Sequence, residues 1–309
     1  MKVTVLGGGG FIGSAIIDRL LRDRHGVRVF ERPRVDPYRA FGVDEHVEWT
    51  SGDLMSVHDI REAIRGVDAV IHLVSTTLPK SSNDDPIYDV QSNLIATLQL
   101  LQLMVEEDVR RIVFISSGGT VYGDPQYLPV DERHPTEPRV SYGITKLAIE
   151  KFLVMYQHLH GLKPVILRVA NPYGERQRVE TAQGAVAAFL DRVLRGQPIE
   201  IWGDGSVARD YVHISDVAEI FLRALTYEGD ETVFNVSTGQ GTTLIELLRI
   251  IEQVTGLPAQ TRFKPPRPFD VPISVLDNTR ARRELGWSPA VGLHEGIDRT
   301  AQWMRSHRA

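Results

Sequence analysis

The chain contains no cysteine, which excludes disulfides and thiolate chemistry. It has no excess of positive charge. Lys and Arg number 35 against 40 Asp and Glu, a net of −5, so the footprint of a nucleic-acid binder is missing. No stretch reaches the roughly 18 consecutive apolar residues of a membrane span. Met1-Lys2-Val3-Thr4-Val5-Leu6 runs into glycine too soon for a signal peptide, and a soluble cytoplasmic protein is expected. No internal repeat or low-complexity run is visible. The one Pro-rich stretch, Lys264-Pro265-Pro266-Arg267-Pro268, reads as an ordered loop. What remains is an ordinary globular mix over 309 residues, 42% hydrophobic and 24% charged, enough for one large domain or two modest ones.

Short apolar runs alternate with helical patterns. Strands are expected at Val3–Leu6, Val27–Phe30, Val47–Trp49, Ala69–Val74, Arg111–Ser116 and Pro164–Arg168. Helices are expected at Phe11–Arg24, Val57–Arg65, Ile87–Glu107 and Tyr142–His160. This alternation predicts a doubly wound parallel α/β sheet of the Rossmann type, because strands covered on both faces read as continuous apolar runs. Past Arg168 the pattern loosens into a smaller mixed α/β region. Helices are expected there at Thr181–Arg195, Ser215–Tyr227, Thr243–Thr255, Thr279–Leu285 and Leu293–Arg305, and short strands at Pro198–Trp202 and Thr232–Val236. The helices Ile87–Glu107 and Tyr142–His160 are apolar on more than one face, so a second buried face is expected, either within a thick core or, the favoured reading, on a partner subunit as a homodimer.

Gly7-x-x-Gly10-Phe11-Ile12-Gly13 lies between the first strand and the first helix. Glycines there permit a tight turn, close approach of the main chain to a pyrophosphate, and close packing of helix on strand. Unpaired N–H groups at the helix start then face the phosphates. Glu31 ends the second strand, where a carboxylate accepts from an adenosine ribose and repels a 2′-phosphate. Arg32 beside it could stack on adenine or attract a phosphate. NAD is therefore favoured over NADP. Asp53, followed by Leu54, is placed to accept from the adenine amino group.

Ser141-Tyr142-Gly143-Ile144-Thr145-Lys146 opens a long helix. Positions four apart share a face, so the Tyr142 phenol and the Lys146 ammonium are expected side by side. A nearby cation favours phenolate, which would make the pair a general base near neutral pH.

With these pieces the chain resembles the extended short-chain dehydrogenase/reductase family, and within it the nucleotide-sugar epimerases and dehydratases such as the UDP-glucose 4-epimerases. The motifs that carry the likeness span nearly the whole length. They include Gly7 to Gly13, Gly52-Asp53-Leu54, Ile71-His72-Leu73, Asn93, Ser116-Ser117-Gly118-Gly119-Thr120-Val121-Tyr122-Gly123 and Tyr142-x-x-x-Lys146. Further along come Asn171-Pro172-Tyr173-Gly174, Arg209-Asp210-Tyr211-Val212-His213 and Leu285-Gly286-Trp287. The resemblance implies a cofactor domain over 1–168, with 208–237 returning to it, and a substrate-binding cap over 169–207 and 238–309. It implies NAD contacts from Gly7, Gly10, Phe11, Ile12, Gly13, Glu31, Arg32, Asp53, Leu54, Leu73, Val74, Ser75, Asn93, Ser116, Tyr142 and Lys146. A sugar nucleotide, UDP-linked, would meet Asn171, Arg209, Arg267 and Asp270. Tyr142 would take a proton from the sugar hydroxyl, and no metal is implied.

The family places a Ser or Thr three residues before the Val of Val-Tyr-Gly, and here that position is Gly118. Ser117 or Thr120 would supply the hydroxyl, with Ser117 ahead because the fifth strand ends there. Phe269 replaces a family glycine before Asp270. Arg176 and Arg178 make the following loop more cationic, suited to solvent or to an extended phosphate group. A 4-epimerase of UDP-hexoses or UDP-N-acetylhexosamines is expected. The alternatives are a lipid-diphosphate-linked sugar epimerase, a reductase or dehydratase of the same fold, and a non-catalytic cofactor binder. A dehydratase would need an acid pair after its Thr, where this chain has glycines.

Overall fold

The structure is a computed structural model and describes residues 1–79, 81–179, 184–266 and 271–307. Seven parallel strands form one sheet: β1 Lys2–Leu6, β2 Gly26–Glu31, β3 Val47–Ser51, β4 Ala69–His72, β5 Arg111–Ser117, β6 Lys163–Val169 and β11 Val233–Val236. Their order across the sheet is β3-β2-β1-β4-β5-β6-β11. The order reverses between β1 and β4, and a crevice opens there at the carboxyl ends of the strands. The outermost strand comes from late in the chain, within the 208–237 stretch.

Helices α1 Phe11–Arg22 and α7 Ile214–Leu225 cover one face of the sheet, around Ile16, Leu20, Phe221 and Trp287. Helices α2 Val57–Ile64, α4 Ala96–Glu106 and α5 Ser141–His160 cover the other, around Leu100, Met104, Ile149 and Leu153. Both β1 and β4 are wholly buried apart from Lys2, as continuous apolar strands between helical layers should be. A second core gathers α6 Ala185–Leu194, α8 Leu244–Thr255 and α10 Leu293–Ser306 around Phe189, Leu247 and Ile297. Parallel strands β8 Ile199–Trp202 and β13 Thr261–Lys264 lie at its edge.

Two differences from the expected elements matter for the site. The segment expected as one helix over Ile87–Glu107 is a short α3 Pro86–Asp89, a π-helical stretch Val90–Ile95, and then α4. A π stretch carries an extra residue per turn and re-aims side chains, commonly beside functional sites. Strands of two or three residues, too short for any periodicity, connect the two cores. These are β7 Asn171–Tyr173, which pairs with β10 Tyr211–His213, and β9 Ala208–Arg209, which is flanked by β12 Thr242–Thr243 and β14 Ile273–Ser274. Helix α9 Thr279–Leu285 follows β14. Among the described residues no helix is long and apolar enough to cross a membrane, and no cluster of metal-binding side chains occurs.

Candidate active site

The crevice is bounded on one side by the turn from β1 to α1. Gly7 has φ +83°, in the left-handed region that favours glycine. A Cβ on Gly13 would stand 2.5 Å from the Gly7 carbonyl oxygen and 2.6 Å from Gly8 Cα, so only glycine lets the helix lie this close to the turn. Gly10 is the N-cap of α1 and no side chain caps the helix. The N–H groups of Phe11, Ile12 and Gly13 thus open the helix without a side-chain acceptor, at its positive end. This fits a dinucleotide pyrophosphate. Glu31 sits beside the turn, accepting from the Gly9 N–H at 3.3 Å and from the Arg32 N–H at 3.1 Å. Asp53 accepts from the Met55 N–H at 2.9 Å in the turn after β3, and Leu54 is buried.

On the other side stands the start of α5. Val140 is its N-cap and offers no side-chain acceptor. Acceptors come instead from the segment after β4. Ser141 N–H donates to Asn83 Oδ1 at 2.9 Å, and Tyr142 N–H donates to Ser82 Oγ at 3.0 Å. Gly143 lets the helix press on the turn after β5, since a Cβ there would lie 2.8 Å from the Thr120 carbonyl oxygen. Lys146 is 3% exposed, donates to the Ile115 carbonyl at 3.1 Å, and lies 4.7 Å over the Phe114 ring and 5.7 Å over the Tyr142 ring. Helical spacing does bring the two side chains together.

Their proton affinities are not those expected from proximity. Burial pushes the Tyr142 phenol up to about 12; a hydrogen bond with Ser75 opposes this and the Asp89 charge adds to it. Burial pushes Lys146 down to about 8, against the fields of Asp89 and Glu150. In this state desolvation outweighs mutual attraction, and the phenol is held protonated.

The remaining cofactor candidates divide. Ser75 reaches the phenol, and its hydroxyl also donates to the Thr77 carbonyl at 3.1 Å. Leu73 and Val74 follow β4 at the crevice floor, and Val74 Cγ2 is 3.3 Å from where a Gly7 Cβ would be. Asn93 and Ser116 are engaged internally. Asn93 accepts from the Thr76 N–H at 2.9 Å and donates to Thr77 and Asp89. Ser116 donates to Glu150, which forms a buried ion pair with Arg168, the closest atoms 2.6 Å apart.

A Cβ on Gly118 would stand 2.3 Å from Leu276 Cδ1 and 3.1 Å from the Arg168 carbonyl oxygen, which accounts for glycine where the family motif has a hydroxyl residue. Of the two flanking hydroxyls, Thr120 Oγ1 is buried without a hydrogen-bond partner. Buried hydroxyls are ordinarily hydrogen-bonded, so Thr120 stands out beside Ser117, which the sequence ranked first.

Beyond the crevice lies a second cleft of about 290 Å³, lined by Asn171, Tyr173, Gly184, Trp202, Arg209, Tyr211 and others. Asn171 Nδ2 donates to the Asp210 carbonyl at 3.0 Å, and Arg209 Nη1 donates to the Val271 carbonyl at 2.7 Å. Arg267 and Asp270 lie outside the described residues. Arg176 and Arg178 make contacts within the chain. Arg176 pairs with Asp18 at 2.7 Å, and Arg178 stacks 3.9 Å over Tyr38, whose N–H donates to the Gly9 carbonyl at 2.8 Å. Arg178 thus holds the loop that bears Tyr38, and Arg176 holds α1.

The profile of the NAD dependent epimerase/dehydratase family matches residues 3–237. The chain belongs to this family. It is 38% identical to the UDP-glucose 4-epimerase of Mycolicibacterium smegmatis over 311 residues, covering 99% of both chains. Its structure is similar to that of the Thermotoga maritima UDP-glucose 4-epimerase with UDP-glucose, at TM-score 0.92 and 34% identity, with 99% of both chains covered. It is similar also to the Thermus thermophilus UDP-glucose 4-epimerase in complex with NAD, at TM-score 0.90 and 34% identity, with 100% of both chains covered. Family membership and the NAD dependence in its description agree with the expectation from sequence.

The sequence missed Ser82, Asn83, Asp89, Glu200 and Trp202 as site residues. For the last two a signal existed. Ile199 and Ile201 are buried while Glu200 and Trp202 point outward, the alternation of a half-buried strand. The other three act across more than fifty residues of sequence, which no local pattern reports.

Proposed function

We propose that this protein is a nucleotide-sugar 4-epimerase, taking a UDP-hexose or UDP-N-acetylhexosamine and inverting C4 by transient oxidation. The observation that carries this reading is the meeting of Tyr142 and Lys146 across the crevice from an uncapped glycine turn. Gly7, Gly10 and Gly13 would hold the pyrophosphate of NAD, and Glu31 the adenosine ribose. NAD would supply a hydride acceptor and, while oxidised, a positive ring charge. Burial pushes the phenol up to about 12, and positive charge beside it would bring it back down, so that its proton is released to solvent before the sugar hydroxyl is deprotonated. Tyr142 then holds the proton of the sugar C4 hydroxyl and returns it. Lys146, kept near its ammonium form, adds the fixed positive charge. Thr120, through its orphaned hydroxyl, orients the sugar oxygen, and Asn171, Arg209 and Trp202 hold the diphosphate and base.

The test is an NMR screen of UDP-sugars for C4 inversion without added cofactor. Tyr142→Phe is expected to lower kcat about 10²- to 10⁴-fold, the range for a general base. Failure of every UDP-sugar pair to interconvert, with NAD demonstrably bound, overturns the reading. Stoichiometric consumption of NADPH would instead identify a reductase.

We also infer a homodimer through α3 to α5. Ile87 (70% exposed), Ile144 (54%) and Leu159 (67%) present apolar side chains outward from these adjoining helices. Such a face calls for a partner, and a second copy would make a four-helix seam. Sedimentation equilibrium should give twice the 34.6 kDa chain mass; a monomer at micromolar concentration would remove the inference.

A further inference from the structure

We propose that Asp89 is a positioning residue for the tyrosine–lysine pair, a buried carboxylate that clamps the first turn of α5 to the segment after β4. It rests on the reading of Tyr142 and Lys146 as the reacting groups. Asp89 is fully buried and has no cationic partner within salt-bridge distance among the described residues. Four donors from three segments converge on it instead. Ser141 Oγ and Thr145 Oγ1 each donate to Oδ2 at 2.7 Å. Thr77 Oγ1 and Asn93 Nδ2 donate to Oδ1, the latter at 3.1 Å.

The two hydroxyls from α5 flank Tyr142 and precede Lys146. Fixing Ser141 and Thr145 therefore fixes the turn from which both reacting side chains project. Thr77 belongs to the same stretch as Ser75, so one carboxylate sets the phenol's helix and the phenol's hydrogen-bond partner together. The π stretch Val90–Ile95 brings Asn93 inward to close the set. Among the described residues no cation neutralises this carboxylate, so its charge is left to act on the groups beside it as well as to hold its four donors.

Those groups come from every element packed around Asp89. On α5 they are Tyr142, Lys146 and Glu150, the last neutralised by Arg168 of β6. On β4 the facing group is His72, which burial pushes down to about 3, so it adds no charge. The Asp89 field raises both Tyr142 and Lys146. Its removal lets Lys146 fall below about 8 and lose its proton closer to neutrality.

The experiment compares full-length wild type with Asp89→Asn by kcat and KM against pH, and by NMR titration of ¹³Cε-labelled lysines with Lys146→Met as the assignment. Asp89→Asn is expected to lower kcat about tenfold to a hundredfold with KM nearly unchanged, the range for a misplaced catalytic group. The alkaline limb of the profile and the Lys146 titration should both move to lower pH. An unchanged titration and pH profile, even with a lowered melting temperature, overturns the proposal and leaves Asp89 a structural residue. If Asp89→Asn does not fold, the double variant Ser141→Ala with Thr145→Val decides. A severalfold loss of kcat supports the clamp, and wild-type kcat overturns it. Should the wild type invert no UDP-sugar, the lysine titration still reads Asp89's effect, so the two failures are distinct.

Discussion

Two helices begin at the same crevice, and they begin in opposite ways. Helix α1 starts at Gly10 with no side chain satisfying its first N–H groups. Helix α5 starts at Val140, equally unable to cap itself, yet its first N–H groups meet Asn83 and Ser82, and its first hydroxyl meets Asp89. An uncapped helix start leaves donors open for a ligand. A start capped from elsewhere has its donors satisfied and its position fixed, so it can present side chains instead. One helix end offers backbone and the other offers a phenol and an ammonium. The glycines divide differently: Gly10 leaves space open at the helix start, while Gly13 and Gly143 each let a helix press on a neighbouring turn.

The largest expected effect lies at the open end. Gly13→Ala would force a methyl against the Gly7 carbonyl oxygen and Gly8 Cα, main-chain atoms that cannot rotate away. Separating α1 from the turn should cost about 1–3 kcal/mol of stability, the range for overpacking. It should also displace the N–H groups that face the pyrophosphate. The variant is expected to melt lower and to release less NAD than wild type by mass spectrometry of the denatured protein. A full complement of NAD would mean that this turn does not set cofactor retention.

The open end was legible in the sequence, and the closed end only in part. Gly7, Gly10 and Gly13 carry their meaning in a spacing of a few residues between a strand and a helix. Tyr142 and Lys146 do so through the helical repeat. Asn83 and Asp89 do not, because Ser141 lies 58 residues from the first and Thr145 lies 56 from the second. The π stretch was hidden for a different reason: Val90, Leu94, Leu98 and Leu101 continue an apolar pattern that an inserted residue barely disturbs. The sign of the phenol's shift was also out of reach. Sequence shows that a cation is near Tyr142, but burial decides the direction, and burial pushes it up. Gly118 is similar, a departure from the family motif explained only by Leu276, a residue far along the chain.

The contrast between the two helix starts can be tested by exchanging their characters. Asn83→Ala removes an acceptor at the start of α5 and should cost about 1 kcal/mol, as loss of a capping side chain does. Gly10→Asp does the reverse at α1. Gly10 has φ −81° and ψ −177°, extended backbone that any residue adopts, and the nearest atom to a new Cβ is the Gly7 carbonyl oxygen at 3.6 Å. The carboxylate can accept from the N–H groups of the first turn and meets the positive end of the helix. Replacing glycine at an N-cap gains only a few tenths of a kcal/mol, with about as much again from the helix dipole. Melting temperature should therefore rise slightly, while NAD content falls, because the new carboxylate occupies the donors and repels a pyrophosphate. Stability and cofactor binding moving in opposite directions is the result expected if α1 is left uncapped for the ligand's sake. If both rise together, or both fall, the missing cap at Gly10 serves no ligand and the contrast with α5 is an accident of sequence.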